Sequence, residues 1–145
     1  MNPPLDQFSL LAEIVPDDRR ALGEFLVPRE IDAGSVLFRT TEEAEELFFV
    51  TGGSLAIRSE GQTVAELGAG EALGALCLVS VGRRECDAVA IEPTSVLCLS
   101  RESYLRLRAD LPALALQLEE AILRSFASLV RNILVDARVP SGSVS

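Results

Sequence analysis

The chain has 145 residues, of which 48% are hydrophobic and 24% charged, the composition of one globular domain with a real core. Its net charge of −9, with no basic run longer than a pair of arginines, argues against direct DNA binding. Histidine is absent, which removes Ser-His-Asp and Cys-His catalysis, histidine-ligated zinc and haem.

No apolar run approaches the roughly 18 residues that span a bilayer. The N-terminus carries early acids and no basic n-region, so it does not read as a secretory signal, and the expected location is cytoplasmic. The three cysteines, Cys77, Cys86 and Cys98, have no CxxC spacing and read as reduced core residues, with no metal site expected. Without a nucleophile motif or ligand cluster, an enzyme is not expected.

In chain order, Leu5, Phe8, Leu11 and Ala12 fall at helical spacing, and Val15-Pro16 is expected to end that helix. Asp17 suits the cap of a second short helix from Asp18 to Leu22. From Glu24 the pattern changes: Phe25, Val27, Ile31, Val36 and Phe38 suggest strands interrupted by Pro28 and by Ala33-Gly34. The acidic stretch Thr40 to Glu46 reads as a solvated loop. Leu47 to Val50 is a buried strand followed by the turn Thr51-Gly52-Gly53-Ser54. Leu55 to Ile57 and Thr63 to Leu67 flank Glu60-Gly61-Gln62 and read as a hairpin.

A glycine-punctuated turn begins at Gly70 and Gly74, and the arginine pair Arg83-Arg84 ends it. Glycine allows close backbone approach, and turn amides with arginine can cradle an anion, although a tight structural corner uses the same residues. Ala88 to Ile91 and Val96 to Leu99 make two more strands. Ser100 is a cap for a helix from Arg101, and Pro112 suits the first turn of the last helix, Ala113 to Val135.

That helix carries two apolar stripes. Leu114, Leu118, Ile122, Leu129 and Ile133 form one, and Leu116, Leu123, Phe126, Val130 and Leu134 the other. One stripe covers a sheet, and the other needs a second cover. The first is taken here as a homodimer seam of near-heptad spacing; burial within one subunit is the competing reading. The expected fold is mainly β with flanking helices, a double-stranded β-helix or jelly-roll barrel. Short N-terminal helices (1–23), the barrel (24–100) and C-terminal helices (101–137) make one domain, 1–137, with a disordered tail at 138–145.

The order of these segments resembles the cyclic nucleotide-binding domain of the catabolite-activator type. DAGSVLF (32–38), EELFFVTGGSLAI (45–57), LGAGEALGALCL (67–78) and VLCLSRESYLRL (96–107) carry the resemblance. In that family a cassette of Phe-Gly-Glu, a short helix and Arg-Ser/Thr-Ala holds the ribose and cyclic phosphate. The resemblance places Leu73-Gly74-Ala75, Leu76 and Cys77 at its start and Arg83, Arg84, Glu85 and Cys86 at its end. The cassette is degenerate. Ala75 cannot accept a ribose hydrogen bond, worth about 1–3 kcal/mol. Glu85 stands where a hydroxyl would, and two like charges about 4 Å apart repel by roughly 4 kcal/mol at an effective dielectric near 20. The resemblance therefore implies a regulatory module that has lost its nucleotide and acts through dimerisation or an unidentified partner protein, with no cofactor. The alternative is a cytosolic sensor that still takes cAMP, cGMP or another anion. A helix-turn-helix segment is not expected after the domain.

Overall fold

The structure, a computed structural model, describes residues 5–75 and 82–144, with side chains as far as Leu134 apart from Ile133. Two four-stranded antiparallel sheets face each other. One has the order β1-β8-β3-β6, the other β2-β7-β4-β5, from strands β1 (Val27–Ile31), β2 (Val36–Phe38), β3 (Glu46–Gly52), β4 (Ser54–Ser59), β5 (Gln62–Gly68), β6 (Ala72–Leu73), β7 (Asp87–Ala90) and β8 (Thr94–Ser100). Helices α1 (Pro16–Gly23), α2 (Arg101–Asp110) and α3 (Pro112–Val144) complete the domain. The expected jelly roll with flanking helices is the fold observed.

The N-terminal segment departs from the expected α-helix. It forms two 3₁₀ turns, Leu5–Gln7 and Ser9–Leu11. Leu5, Phe8, Leu11 and Ile14 are all buried. Their spacing of three is the period at which 3₁₀ side chains line up. Pro16 opens α1 rather than ending the preceding turns; the N-cap is Val15, without a side-chain cap bond, so Asp17 is not the expected cap but lies with Asp18 in the first turn, where the helix dipole favours a carboxylate. Pro28 lies inside β1, which is an edge strand, the place in a sheet where proline is tolerated.

The β4–β5 hairpin pairs Ser59 with Gln62, and its two central residues, Glu60 and Gly61, have φ of 53° and 79°. Two positive φ values in a two-residue loop match the twist of the flanking strands. Ser100 Oγ accepts the Ser103 N–H at 3.0 Å, the expected cap of α2.

β3 and β8 are buried on both faces. Leu47 pairs with Leu99 and Phe49 with Leu97, facing the helices; Phe48 pairs with Cys98 and Val50 with Val96, facing the other sheet. The chain therefore has two apolar clusters separated by one sheet. The helix-side cluster includes Phe8, Leu22, Tyr104, Leu107, Leu114, Leu118 and Ile122. The Tyr104 hydroxyl donates to Glu119, tying α2 to α3. Burial, with Glu119 adding to it, pushes that hydroxyl's pKa well above its usual value.

Three of the five seam residues expected on α3 are therefore spent inside the protomer. Leu114, Leu118 and Ile122 are at most 4% exposed and face α2, β3 and β8 through the helix-side cluster. Leu129 is exposed, and the side chain of Ile133 lies outside the described residues. The stripe left uncovered is the second one: Leu116, Leu123, Phe126, Val130 and Leu134. The reason is angular. A helix seated on a sheet buries one stripe only, and the stripe adjoining Ala115 and Ala121, small enough for close approach, wins. The backbone of α3 also runs on to Val144, through the stretch whose composition suggests a tail.

Candidate functional site

The glycine turn and the arginine pair come together at one end of the inter-sheet space. β6 brings Leu73 opposite Phe48 on β3, and Gly74 follows with φ of 84°. That conformation favours glycine. A Cβ would lie 2.5 Å from Arg84 Nη1 and 3.0 Å from the Glu46 carbonyl oxygen. Opposite, the chain leading into β7 is bound to the acidic loop. The Arg84 N–H donates to the Glu42 carbonyl and the Thr41 N–H to the Arg84 carbonyl, both at 2.8 Å. Arg83 bridges to Glu43 through its backbone, and its Nη1 donates to the Thr41 carbonyl at 2.9 Å. The loop expected to be merely solvated is thus the support that holds both arginines.

The two arginines then part. Arg83 is exposed, and Arg84 is buried in the barrel. Its guanidinium lies 4.2 Å from the Phe38 ring centroid and 5.5 Å from that of Phe48, and Nη2 donates to the Glu46 carbonyl at 2.8 Å. A guanidinium is more weakly hydrated than an ammonium and stacks on ring faces, so it tolerates this setting. Glu85 is exposed, so neighbouring residues are divided between interior and surface. Cys86 is half-buried, and burial, with Asp87 beside it, raises its pKa. Cys98 is buried and its pKa is pushed up to about 11, chiefly by desolvation, which suits an inert core thiol.

Of the residues expected at the cassette, Leu73, Gly74 and Arg84 converge. Leu73 packs on the barrel-side cluster, whereas Ala75 packs on the helix-side one. Leu76 and Cys77 lie outside the described residues. Sequence reasoning missed the aromatic partners Phe38 and Phe48 and the Glu46 carbonyl. The alternation within Glu46–Gly52 carried the signal, because a barrel-facing Phe48 needs a neighbour across the sheets.

The profile of the cyclic nucleotide-binding domain matches residues 28–110, from β1 through the end of α2. The chain belongs to the cyclic nucleotide-binding domain family. Over 116 residues it is 31% identical to the Cyclic AMP receptor protein of Thermus thermophilus, covering 68% of this chain and 54% of that protein. The crystal structure of Thermus thermophilus Catabolite Activator Protein superposes with a TM-score of 0.78 at 28% identity, over 91% of this chain and 62% of that one. The N-terminal domain of a transcriptional regulator from Streptomyces coelicolor shares the fold at a TM-score of 0.78, with 20% identity over 88% of this chain and 95% of that one. The chain thus spans about half of the first relative's length.

Proposed function

We propose that this chain is a non-enzymatic regulatory module of the cyclic nucleotide-binding family that works as a cytoplasmic homodimer through the outer stripe of α3, and that its cassette holds no cyclic nucleotide. The observation that carries the dimer is the stripe itself. Leu116, Leu123, Phe126, Val130 and Leu134 are 38–57% exposed on one side of one helix. Leu116, Leu123 and Val130 repeat every seven residues, the period of a two-helix seam. Each residue is about half covered already, so a seam gains on the order of 1 kcal/mol apiece, or roughly 10 kcal/mol for both copies. Association costs about 4–15 kcal/mol. The balance is close, and the dimer is expected to depend on concentration.

The loss of nucleotide rests on Ala75 and on the way Arg84 is held. Its guanidinium already has two rings and a carbonyl around it. The exposure of Glu85 makes its charge a smaller obstacle than the spacing alone suggests. A second reading, a sensor of cAMP or cGMP, is favoured by the inward position of Arg84 and by a relative named as a cyclic AMP receptor.

Light scattering and calorimetry separate these. Wild type is expected to sediment and scatter as a dimer at tens of micromolar, and Leu123→Glu as a folded monomer; a monomeric wild type overturns the dimer. Titration with cAMP and cGMP is expected to give no heat up to millimolar ligand. Micromolar binding would instead establish the sensor. Ala75→Glu combined with Glu85→Ser is expected to create binding on the intact scaffold.

A further inference from the structure

Beyond Ile122 the face of α3 that seals the core changes character. Ser125, Ser128 and Asn132 continue that side, and with Leu129 they form one wall of an open cleft of about 630 Å³. The facing wall has an apolar strip, with Leu10 from the N-terminal turns, Leu67 from β5, and Ala72 and Ala75 around β6, bordered by Ser9, Glu13 and Glu71. This inverts the usual pattern of a surface helix. Over the same turns the solvent side keeps Phe126, Val130 and Leu134, while the side facing the body carries Ser125, Ser128 and Asn132 beside a single apolar residue, Leu129.

The charges on the cleft are also informative. Arg124, its one cation among the described residues, pairs with Glu13 at 2.9 Å and reaches Glu120 at 3.9 Å. Glu71 also lines the cleft, and its carboxylate accepts the Gly68 N–H at 2.7 Å. One arginine against the two lining glutamates leaves the walls net negative, which repels phosphates and carboxylates. The volume lies within the about 300–1,000 Å³ of small-molecule sites, and those sites combine apolar walls with a few convergent hydrogen-bonding groups.

We propose that this cleft binds an uncharged amphipathic small molecule. Its apolar side lies on Leu10, Leu67 and Ala75, and its hydroxyl, carbonyl or amide groups meet Ser125, Ser128 and Asn132. Neither Arg84 nor the outer stripe of α3 lines the cleft apart from that helix's shared backbone, so the site stands whether or not the dimer reading does. Ala75 joins the two arguments: the residue that deprives the cassette of a carboxylate leaves the cleft wall apolar.

The test is a titration of the full chain with Nile red, a neutral solvatochromic dye. A saturable, blue-shifted signal of one dye per chain at micromolar concentration is expected. Ser128→Trp and Asn132→Trp fill the cleft from exposed helix positions that tolerate large residues, and each should weaken binding at least tenfold without changing the melting temperature. Leu123→Glu should abolish the dimer and leave dye binding unchanged. Several outcomes overturn the proposal: no saturable binding by wild type, equal affinity in both filled variants, or loss of the signal in Leu123→Glu, which would place the dye on the seam. Displacement by millimolar cAMP would also overturn it, by assigning the dye to the cassette.

Discussion

The two clusters on either side of β3 and β8 are built from the same strands and differ in one respect. The helix-side cluster is free of charge, its one hydroxyl being that of Tyr104, whereas the barrel-side cluster closes around the Arg84 guanidinium. A residue step along β3 moves from one to the other: Leu47 and Phe49 serve the helices, Phe48 and Val50 the barrel. The fold therefore places its stability and its chemistry back to back. The first holds the helices to the sheet through close packing, and the second keeps a cation in a space that apolar side chains would otherwise fill.

The largest effect is expected where packing alone acts. Phe49 is fully buried, its ring centroid 5.0 Å from that of Phe8. Phe49→Ala should cost about 3–5 kcal/mol, read as a lower urea midpoint at constant slope. A loss below about 1 kcal/mol would mean the helices contribute little to the cluster. Next comes the corner between the two sheets. Gly53 has φ of 83°, and a Cβ there would lie 2.4 Å from the Pro93 carbonyl oxygen and 2.7 Å from Thr94 Cα. Both are backbone atoms, and Thr94 is fixed by its hydroxyl bonds to Ser54 and Glu92. Gly53→Ala is expected to cost more than about 2 kcal/mol. Gly74→Ala should cost less, since its nearest clash is with the end of an arginine side chain.

How much of this was legible in the residues follows the same division. The doubly buried strands were readable because Leu47 to Val50 and Val96 to Leu99 are continuous apolar runs between turn residues. The hairpin at Glu60-Gly61 was readable for the same local reason. The choice between the two stripes of α3 was not, because both have helical period and only the sheet's position selects one. The N-terminal segment is ambiguous in the residues, because Leu5, Phe8, Leu11 and Ala12 fit an α-helical spacing while the buried set Leu5, Phe8, Leu11 and Ile14 follows the period of three of a 3₁₀ turn. At the site, Gly74 and Arg84 were visible as a pair, but their aromatic surroundings depend on strand pairing distant in sequence.

Arg84 itself sharpens the comparison with a smaller effect. A ring-stacked guanidinium out of water gains about 2 kcal/mol, against a desolvation cost of several. Arg84→Met keeps the length and the ring contact, and is expected to change stability by less than about 1 kcal/mol in either direction. Arg84→Ala leaves a cavity and should cost about 2 kcal/mol. If Arg84→Met instead unfolds the chain, the cation is a structural part of the barrel, and the contrast between the two clusters disappears.

The smallest expected effect lies at the barrel rim, where Asp87 at the start of β7 holds the end of β2. Its carboxylate accepts the Thr40 N–H at 2.6 Å and the Thr40 hydroxyl at 2.9 Å. Those bonds, the backbone one first, hold its pKa below the ordinary value of 3.8. The folded chain binds this proton less readily than the unfolded chain, so the contribution is complete above the ordinary value. It is lost as pH falls through the folded one. Urea midpoints measured from about pH 5 down to about pH 2 should therefore fall more steeply for wild type than for Asp87→Asn. The amide retains an acceptor for Thr40 but cannot titrate. Parallel curves would show that the acid sensitivity of the domain arises elsewhere, and that this rim contact fixes the geometry of β2 without contributing to the pH dependence.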